Sequence, residues 1–303
     1  MEPDARRIRM HDMFYFYLFA AFSFALGSCV ASFLNVCIWR LPREESVVSP
    51  PSHCPKCDAR IKWYQNIPIV SWCALRGRCA SCGCKISPRY ILVETLGGLL
   101  FLAAYLQWTQ GSAMLNAPSA AWGLGMAPLK DFWAVPVEWL IATGLILGAF
   151  IDLDHYYLPD RVTVGGMILG VPLSTLVPEL QGETTHMAAF LSSVEGWAFG
   201  FFFLWGMRWF FSKLFKKEAL GFGDVKLMGA IGAFFGPASV LFTLIVSSVV
   251  GSVAGMVLIM RGRTKLGGFT AVPFGPFITI GALVWMYWGP VLLDFYMRTL
   301  TVR

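Results

Sequence analysis

Two aspartates, Asp152 and Asp224, stand at the ends of long apolar segments, in the stretches AFIDLDHYYLPD and GFGDVKL. An ionisable side chain in or beside hydrocarbon is costly unless it is paired or hydrated, so such residues are candidates for function. Two carboxyls that approach closely cannot both ionise readily, and they share a proton. One can then draw a proton from water while the other protonates a peptide carbonyl, which is the chemistry of an aspartyl protease.

Two glycines, Gly221 and Gly223, precede the second aspartate. Glycine has no Cβ, so it allows close backbone approach and tolerates positive φ. A helix that opens at Asp224 would also present free N–H groups near a reacting centre. The alternative is that Asp224 only caps this helix.

The first aspartate is followed by further polar and rigid residues. Pro159 holds the preceding residue in extended geometry and breaks the chain just after the apolar segment. Asp160 supports the site or is simply a turn residue after the proline. Asp154 lies on a different helix face from Asp152, so it is either a supporting acid or a solvated residue at the membrane interface.

Two Cys-x-x-Cys pairs, CPKC at 54–57 and CASC at 79–82, lie in one basic loop with twenty-one residues between them. Four thiolates can surround Zn²⁺ tetrahedrally, and a closed site of this kind holds structure because no position is left for water. Two unmetallated or redox-active thiol pairs are the alternative, and Cys84 is a possible competing ligand. The predicted zinc ligands are Cys54, Cys57, Cys79 and Cys82.

The composition is that of a membrane protein. The chain has 303 residues, of which 56% are hydrophobic and only 14% are charged, whereas soluble domains average about 25% charged residues. The net charge of +6 fits the Lys and Arg of cytoplasmic membrane loops, and nucleic acid is not an expected partner. The first apolar segment is longer than a signal-peptide core and is interpreted as a retained span.

Runs of about 20 apolar residues predict an all-α, polytopic membrane protein with roughly eight transmembrane helices and a small cytoplasmic zinc-binding loop. The sixth run ends at Gly236-Pro237, which predicts a tight reversal or a kink. The predicted spans are 14–39, 90–108, 133–151, 163–178, 188–211, 225–237, 238–260 and 272–293. The predicted domains are a first span at 1–39, the zinc loop at 40–89 and a transmembrane protease domain at 90–303.

Basic residues predict the orientation, because Lys and Arg concentrate in cytoplasmic loops. They cluster at 40–89, 212–226 and 261–265, while the loops at 109–132 and 179–187 carry almost none. In an eight-span arrangement the basic loops share one side of the membrane, the cytoplasmic side. Both aspartates then lie near that face, although the arginines of the external N-terminus disagree with the rule.

Taken together, DLDHYYLPD and GFGD resemble the type IV prepilin peptidases, which are intramembrane aspartyl proteases of the G-x-G-D type. In that family the first catalytic aspartate lies six residues before the Leu of a Leu-Pro pair, which corresponds to Asp152. The second ends the G-x-G-D motif, which corresponds to Asp224. The stretches 33–43, 49–72 and 75–98 resemble the N-terminal region of the bifunctional bacterial members, so the likeness covers most of the chain.

This resemblance implies two reactions. The first removes a short basic leader, after a Gly, from prepilins and pseudopilins, whose apolar helix lies in membrane lipid. The second methylates the exposed N-terminal residue with S-adenosylmethionine. No strand followed by G-x-G-x-x-G is present, so the methyl donor rests on the resemblance alone and its binding residues are unassigned. Glu94 is a candidate for the methylation site or for substrate contact, and otherwise a partner of Arg89 or Arg40.

Two other classes of protein remain as alternatives. A proton-coupled transporter with a structural zinc loop predicts acids spread through the depth of the bilayer. A zinc-ribbon membrane scaffold predicts that neither aspartate is needed. Acids gathered at one face favour the peptidase, in which Asp152 and Asp224 together activate water.

Overall fold

The computed structural model describes residues 3–116, 133–216, 220–261 and 272–301, so 217–219, 262–265 and 117–132 of the predicted loops lie outside it. Within these ranges the chain is helical, with two isolated β-bridges as its only strand-like pairing. The expectation of an all-α, multi-pass membrane protein is confirmed. The helices are α1 (Pro3–Arg40), α2 (Val70–Ala74), α3 (Arg89–Asn116), α4 (Ala134–His155), α5 (Asp160–Leu176), α6 (His186–Phe215), α7 (Phe222–Met260) and α8 (Gly275–Thr301).

Five helical stretches among the described residues are long and apolar enough to cross a membrane. Eight spans were predicted, and that count stays a prediction. Part of the difference is α5, which has only 17 residues. Another part is α7, whose 39 residues would reach about 58 Å as one straight rod, roughly twice the hydrocarbon thickness. The five stretches are Met13–Arg43, Arg89–Thr109, Ala134–His155, His186–Phe215 and Phe222–Met260.

The chain reverses direction inside α7, at the predicted Gly236-Pro237 step. Gly236 has φ 77° and ψ 177°, a combination that is essentially confined to glycine. A Cβ placed at Gly232 would lie 3.0 Å from Cγ2 of Val240. Positions eight apart in a continuous helix are separated by about 12 Å, so this contact requires two antiparallel helical arms.

The described structure divides into two compact units, residues 1–146 and 147–303, with the boundary inside α4. In the first unit α1 packs against α3, and the loop between these helices carries the two Cys-x-x-Cys pairs. In the second unit α7 packs against α5, α6 and α8, and most of its first arm is buried. The domain boundaries predicted at residues 39 and 89 stay predictions.

Candidate active site and metal centre

Asp152 lies in the last turn of α4, and only 5% of its surface is exposed. Its Oδ2 accepts a 2.9 Å hydrogen bond from the backbone N–H of Gly275, the first residue of α8. A Cβ at position 275 would lie 2.7 Å from the same oxygen, so glycine is what allows this approach. The free backbone N–H at the start of α8 therefore holds the first acid.

Asp224 is the third residue of α7, and 7% of its surface is exposed. The N-cap is Gly221, so the alternative that Asp224 caps the helix is wrong, and the helix begins at Phe222. Gly221 has φ −65°, which shows that positive φ is not what requires glycine here. A Cβ there would lie 3.1 Å from Oδ2 of Asp224. A carboxylate in the first turn interacts favourably with the helix dipole.

Leu158 lies between the two acidic positions. A Cβ at Gly275, beside Asp152, would lie 3.3 Å from Cδ2 of Leu158. A Cβ at Gly223, which precedes Asp224, would lie 3.0 Å from Cβ of the same leucine. The two carboxyls also interact electrostatically. The second unit therefore brings both predicted acids into one buried site.

The other predicted site residues surround this pair, and the two acids among them, Asp154 and Asp160, are exposed. Asp154 is exposed two residues beyond Asp152. Pro159 is buried and forms the N-cap of α5, with extended backbone at φ −63° and ψ 135°. Asp160 is the first residue of α5, and its Oδ1 pairs with Nζ of Lys226 at 2.6 Å. This pair ties the first turn of α5 to the second turn of α7.

The two Cys-x-x-Cys segments fold into matching turns. Cys54 N–H donates to the Ala59 carbonyl at 3.0 Å, and Cys79 N–H donates to the Cys84 carbonyl at 2.8 Å. The residue after each pair, Asp58 or Gly83, has positive φ. Cys84 thus occupies in the second turn the position that Ala59 occupies in the first.

Backbone N–H groups in these turns point at sulfur. The amides of Lys56 and Cys57 lower the pKa of the Cys54 thiol to about 6. Ser81 N–H donates to Sγ of Cys79 at 3.4 Å. Hydrogen bonds of this kind favour the thiolate, which is the form that binds a metal ion.

Four sulfurs lie within 4.8 Å of one another, and the fourth differs from the one that was predicted. The Sγ of Cys54 lies 3.9 Å from that of Cys82 and 3.6 Å from that of Cys84. Zinc–sulfur bonds of 2.3 Å in a tetrahedron require sulfur separations of about 3.8 Å, so the spacing fits this ion. Cys57, the fourth ligand predicted from the sequence, is not one of these four sulfurs, but its thiol interacts with those of Cys54, Cys79 and Cys82. The close group is Cys54, Cys79, Cys82 and Cys84.

Comparison with known proteins identifies the family. The model of the bacterial peptidase A24 N-terminal domain matches residues 25–108, and that of the type IV leader peptidase family matches residues 139–256. A prepilin leader peptidase/N-methyltransferase of Stutzerimonas stutzeri is 32% identical over 92% of this chain and 94% of its own length. The chain belongs to the type IV leader peptidase family.

Two further relatives of this chain carry similar names. A prepilin leader peptidase/N-methyltransferase of Myxococcus xanthus is 39% identical, and the match covers 80% of this chain but only 64% of that relative. A type 4 prepilin-like proteins leader peptide-processing enzyme of Escherichia coli is 36% identical over 86% of this chain and 91% of its own length. No solved structure matches. Family and apolar helices together make the chain a multi-pass inner-membrane protein.

Sequence reasoning missed two polar features of this chain, the contact of Gly275 and the buried Glu138, and it did not predict the partner of Glu94. Gly275 lies in a stretch rich in glycine and proline, but its hydrogen bond to Asp152 was not predicted. Glu138, the fifth residue of α4, is 1% exposed, and no hydrogen-bond partner of its Oε2 is found among the described residues. Glu94 accepts a 2.8 Å hydrogen bond from Ile69 N–H instead of pairing with Arg40, as one alternative expected. Glu138 is a lone acid in an apolar run, and this sequence signal could have identified it as a candidate.

Proposed function

We propose that this chain is a membrane-embedded aspartyl endopeptidase that removes the leader of type IV prepilins or pseudopilins and then methylates the new N-terminus. The observation that carries the proposal is the meeting of Asp152 and Asp224, two buried carboxyls at helix ends in one compact unit. The names of the relatives support the substrate class and both reactions.

Hydrolysis requires only a water molecule and the two acids. One carboxylate takes a proton from the water that attacks the scissile carbonyl carbon, while the other donates a proton to the carbonyl oxygen. The tetrahedral intermediate then collapses, and the leaving amine takes up a proton. Gly275 N–H holds Asp152, and the start of α7 favours negative charge at Asp224. In this proposal the two acids share a proton, so the two roles belong to the pair.

The substrate enters sideways from the lipid, with its basic leader in the cytoplasm and its apolar helix in the membrane. The acids then lie near the cytoplasmic face, where they meet the leader–helix junction. Support comes from the basic loops at 40–89 and 212–226, since positive residues concentrate on that side. Gly221, Gly223 and Pro159 shape the entrance to the acids, with Asp154 and Asp160 exposed beside it.

The cysteine turns hold a structural zinc ion. Cys54, Cys79 and Cys82 belong both to the spacing-based set and to the close sulfur group. We assign the fourth position to Cys57, with Cys84 able to replace it. Four thiolates close the coordination shell, so zinc stabilises the loop and takes no part in hydrolysis.

Methylation requires a donor, for which S-adenosylmethionine is proposed. When bound, it would supply a methyl group from a positively charged sulfur to the lone pair of the unprotonated N-terminal amine. The sulfur would keep the electrons of the broken bond, and the methylated amine would release one proton. The N-methyltransferase part of the relatives' names supports the need for a methyl donor.

A cleavage assay tests this function. The purified chain in detergent micelles is incubated with a prepilin-like substrate that has a basic leader, a Gly at the junction and an apolar helix. Mass spectrometry should find a single new N-terminus after the Gly, and methylation of that N-terminus when S-adenosylmethionine is added. An intact substrate, or cleavage at unrelated positions, would contradict the proposal.

A further inference from the structure

A cavity of about 370 Å³ lies in the first unit, between one face of α1 and the loop that follows it. Cys29, Phe33, Val36 and Arg40 recur at helical spacing along that face. Residues of the segment 47–52 form part of the opposite wall. The volume falls in the range of pockets that hold small organic ligands.

Arg40 contributes a buried positive charge to this cavity. Only 7% of its surface is exposed, and its guanidinium donates to the carbonyls of Ser46 and Pro50 at 2.9 and 2.7 Å. Across the part of the chain that the structure describes, no carboxylate lies within ion-pair distance of it. Two neutral carbonyls leave the charge uncompensated and several of its five N–H donors unused. A guanidinium in this state favours a carboxylate, which it can bind through two parallel hydrogen bonds.

A strained turn fixes a second part of the wall, where Pro68 lines the cavity. Ile69, the next residue, has φ 63° and ψ −53°, and Val70 N–H donates back to the Pro68 carbonyl. Positive φ is unusual for a β-branched residue, and this three-residue turn is rare and strained. The buried carboxylate of Glu94 accepts the Ile69 N–H at 2.8 Å and so holds the turn. Strain that is held in place by a buried acid is typical of functional sites.

We propose that this cavity binds the methyl donor, S-adenosylmethionine, with its α-carboxylate on the guanidinium of Arg40 and its adenosyl group against the apolar side chains of Phe33, Val36 and Val48. Glu94 acts as a positioning residue, because it holds the turn that ends at the cavity wall. This assignment rests on the proposed methyltransferase function and deepens it.

Titration calorimetry of S-adenosylmethionine into the full chain tests the assignment. Arg40→Met should raise the Kd about tenfold to a hundredfold, as expected for loss of charge-assisted hydrogen bonds. Arg40→Lys should recover part of the affinity. The matched control is Arg43→Met, at the exposed residue whose guanidinium lies over the Trp39 ring outside the cavity, and it should bind like wild type. Equal affinity in all variants would overturn the assignment.

Two further measurements separate the carboxylate contact from misfolding. Decarboxylated S-adenosylmethionine should bind wild type more weakly by the same factor, and Arg40→Met should no longer distinguish the two ligands. Val48→Trp, at a wall residue that is 84% exposed and contributes nothing to the core, should narrow the cavity and weaken binding without lowering the thermal midpoint of the unliganded chain. Discrimination that persists in Arg40→Met, or undiminished binding in Val48→Trp, would contradict the proposal.

A phospholipid phosphate offers Arg40 similar chemistry, so the titration is repeated in nanodiscs of phosphatidylglycerol and in lipid-free detergent. Equal affinity in both supports the donor site. Competitive loss of donor binding in the nanodiscs, with lipid retention that depends on Arg40, would make the cavity a lipid site. If the proposed methyltransferase function were wrong, the result would differ from all of these. The wild-type chain would then neither bind S-adenosylmethionine nor methylate a cleaved peptide.

Discussion

At the residue scale, the two buried acids are held by different means. Asp152 accepts a hydrogen bond from the start of α8, whereas Asp224 lies in the first turn of its own helix. Each therefore faces backbone N–H groups, which orient the carboxyls without adding a charged side chain. Because the proposed mechanism uses the two acids as a pair, removal of either one should cost nearly as much activity as removal of both.

Asp152→Asn and Asp224→Asn should each slow cleavage of a prepilin-like peptide by at least about 10²–10⁴-fold, because an amide can neither take up nor deliver the required proton. The measurement is the initial cleavage rate in micelles. Glu195→Gln, at an exposed acid of α6, is the matched control and should keep the wild-type rate. A rate within tenfold of wild type in either Asn variant would remove that aspartate from the pair.

The thiol cluster consists of Cys54, Cys57, Cys79, Cys82 and Cys84, which offer five sulfurs for the four positions around the proposed zinc ion. Cys54→Ser, Cys79→Ser and Cys82→Ser should each lose the zinc ion, because these residues belong to both possible sets. Cys57→Ser and Cys84→Ser should each retain about one zinc per chain, since the remaining thiol can complete the shell, and the double variant should lose it. Elemental analysis of reduced protein decides. Loss in only one of these two single variants would make that residue the sole fourth ligand.

At the element scale, the sequence predicted well where a local pattern dictates geometry. The acids at the ends of apolar runs and the break at Gly236-Pro237 are of this kind, because proline and glycine restrict the backbone directly. The turn at Ile69 was not predictable, since a β-branched residue disfavours positive φ and only the distant Glu94 holds it there. Gly275 was missed for the same reason: its role depends on a partner that is remote in sequence.

Gly236, at the reversal inside α7, should not tolerate a side chain without loss of stability. Gly236→Ala places a Cβ at φ 77°, 2.8 Å from Oγ of Ser192, and should destabilise the fold by about 1–3 kcal/mol. Thermal unfolding of the purified chain measures the effect. Gly255→Ala lies in the second arm with no atom within 4 Å of the new Cβ, so it should be neutral or slightly stabilising. Equal midpoints in the two variants would argue against the reversal.

At the scale of the whole molecule, the two proposed chemistries use different units. The thiol cluster and the cavity at Arg40 belong to residues 1–146, and the acid pair belongs to residues 147–303. No residue proposed for one reaction is needed as a reacting group in the other. The two activities should therefore be separable by single substitutions, although both act on the same substrate in sequence.

Asp224→Asn should still methylate a peptide whose leader has already been removed, because the donor site and the amine need no acid pair. Arg40→Met should show the converse, with leader cleavage retained and methylation reduced in parallel with donor affinity. Each variant is assayed on both the intact and the pre-cleaved peptide, and products are distinguished by mass. If Asp224→Asn failed to methylate the pre-cleaved peptide while it still bound the donor, the acid site itself would have to position the new N-terminus, and the division between the units would be wrong.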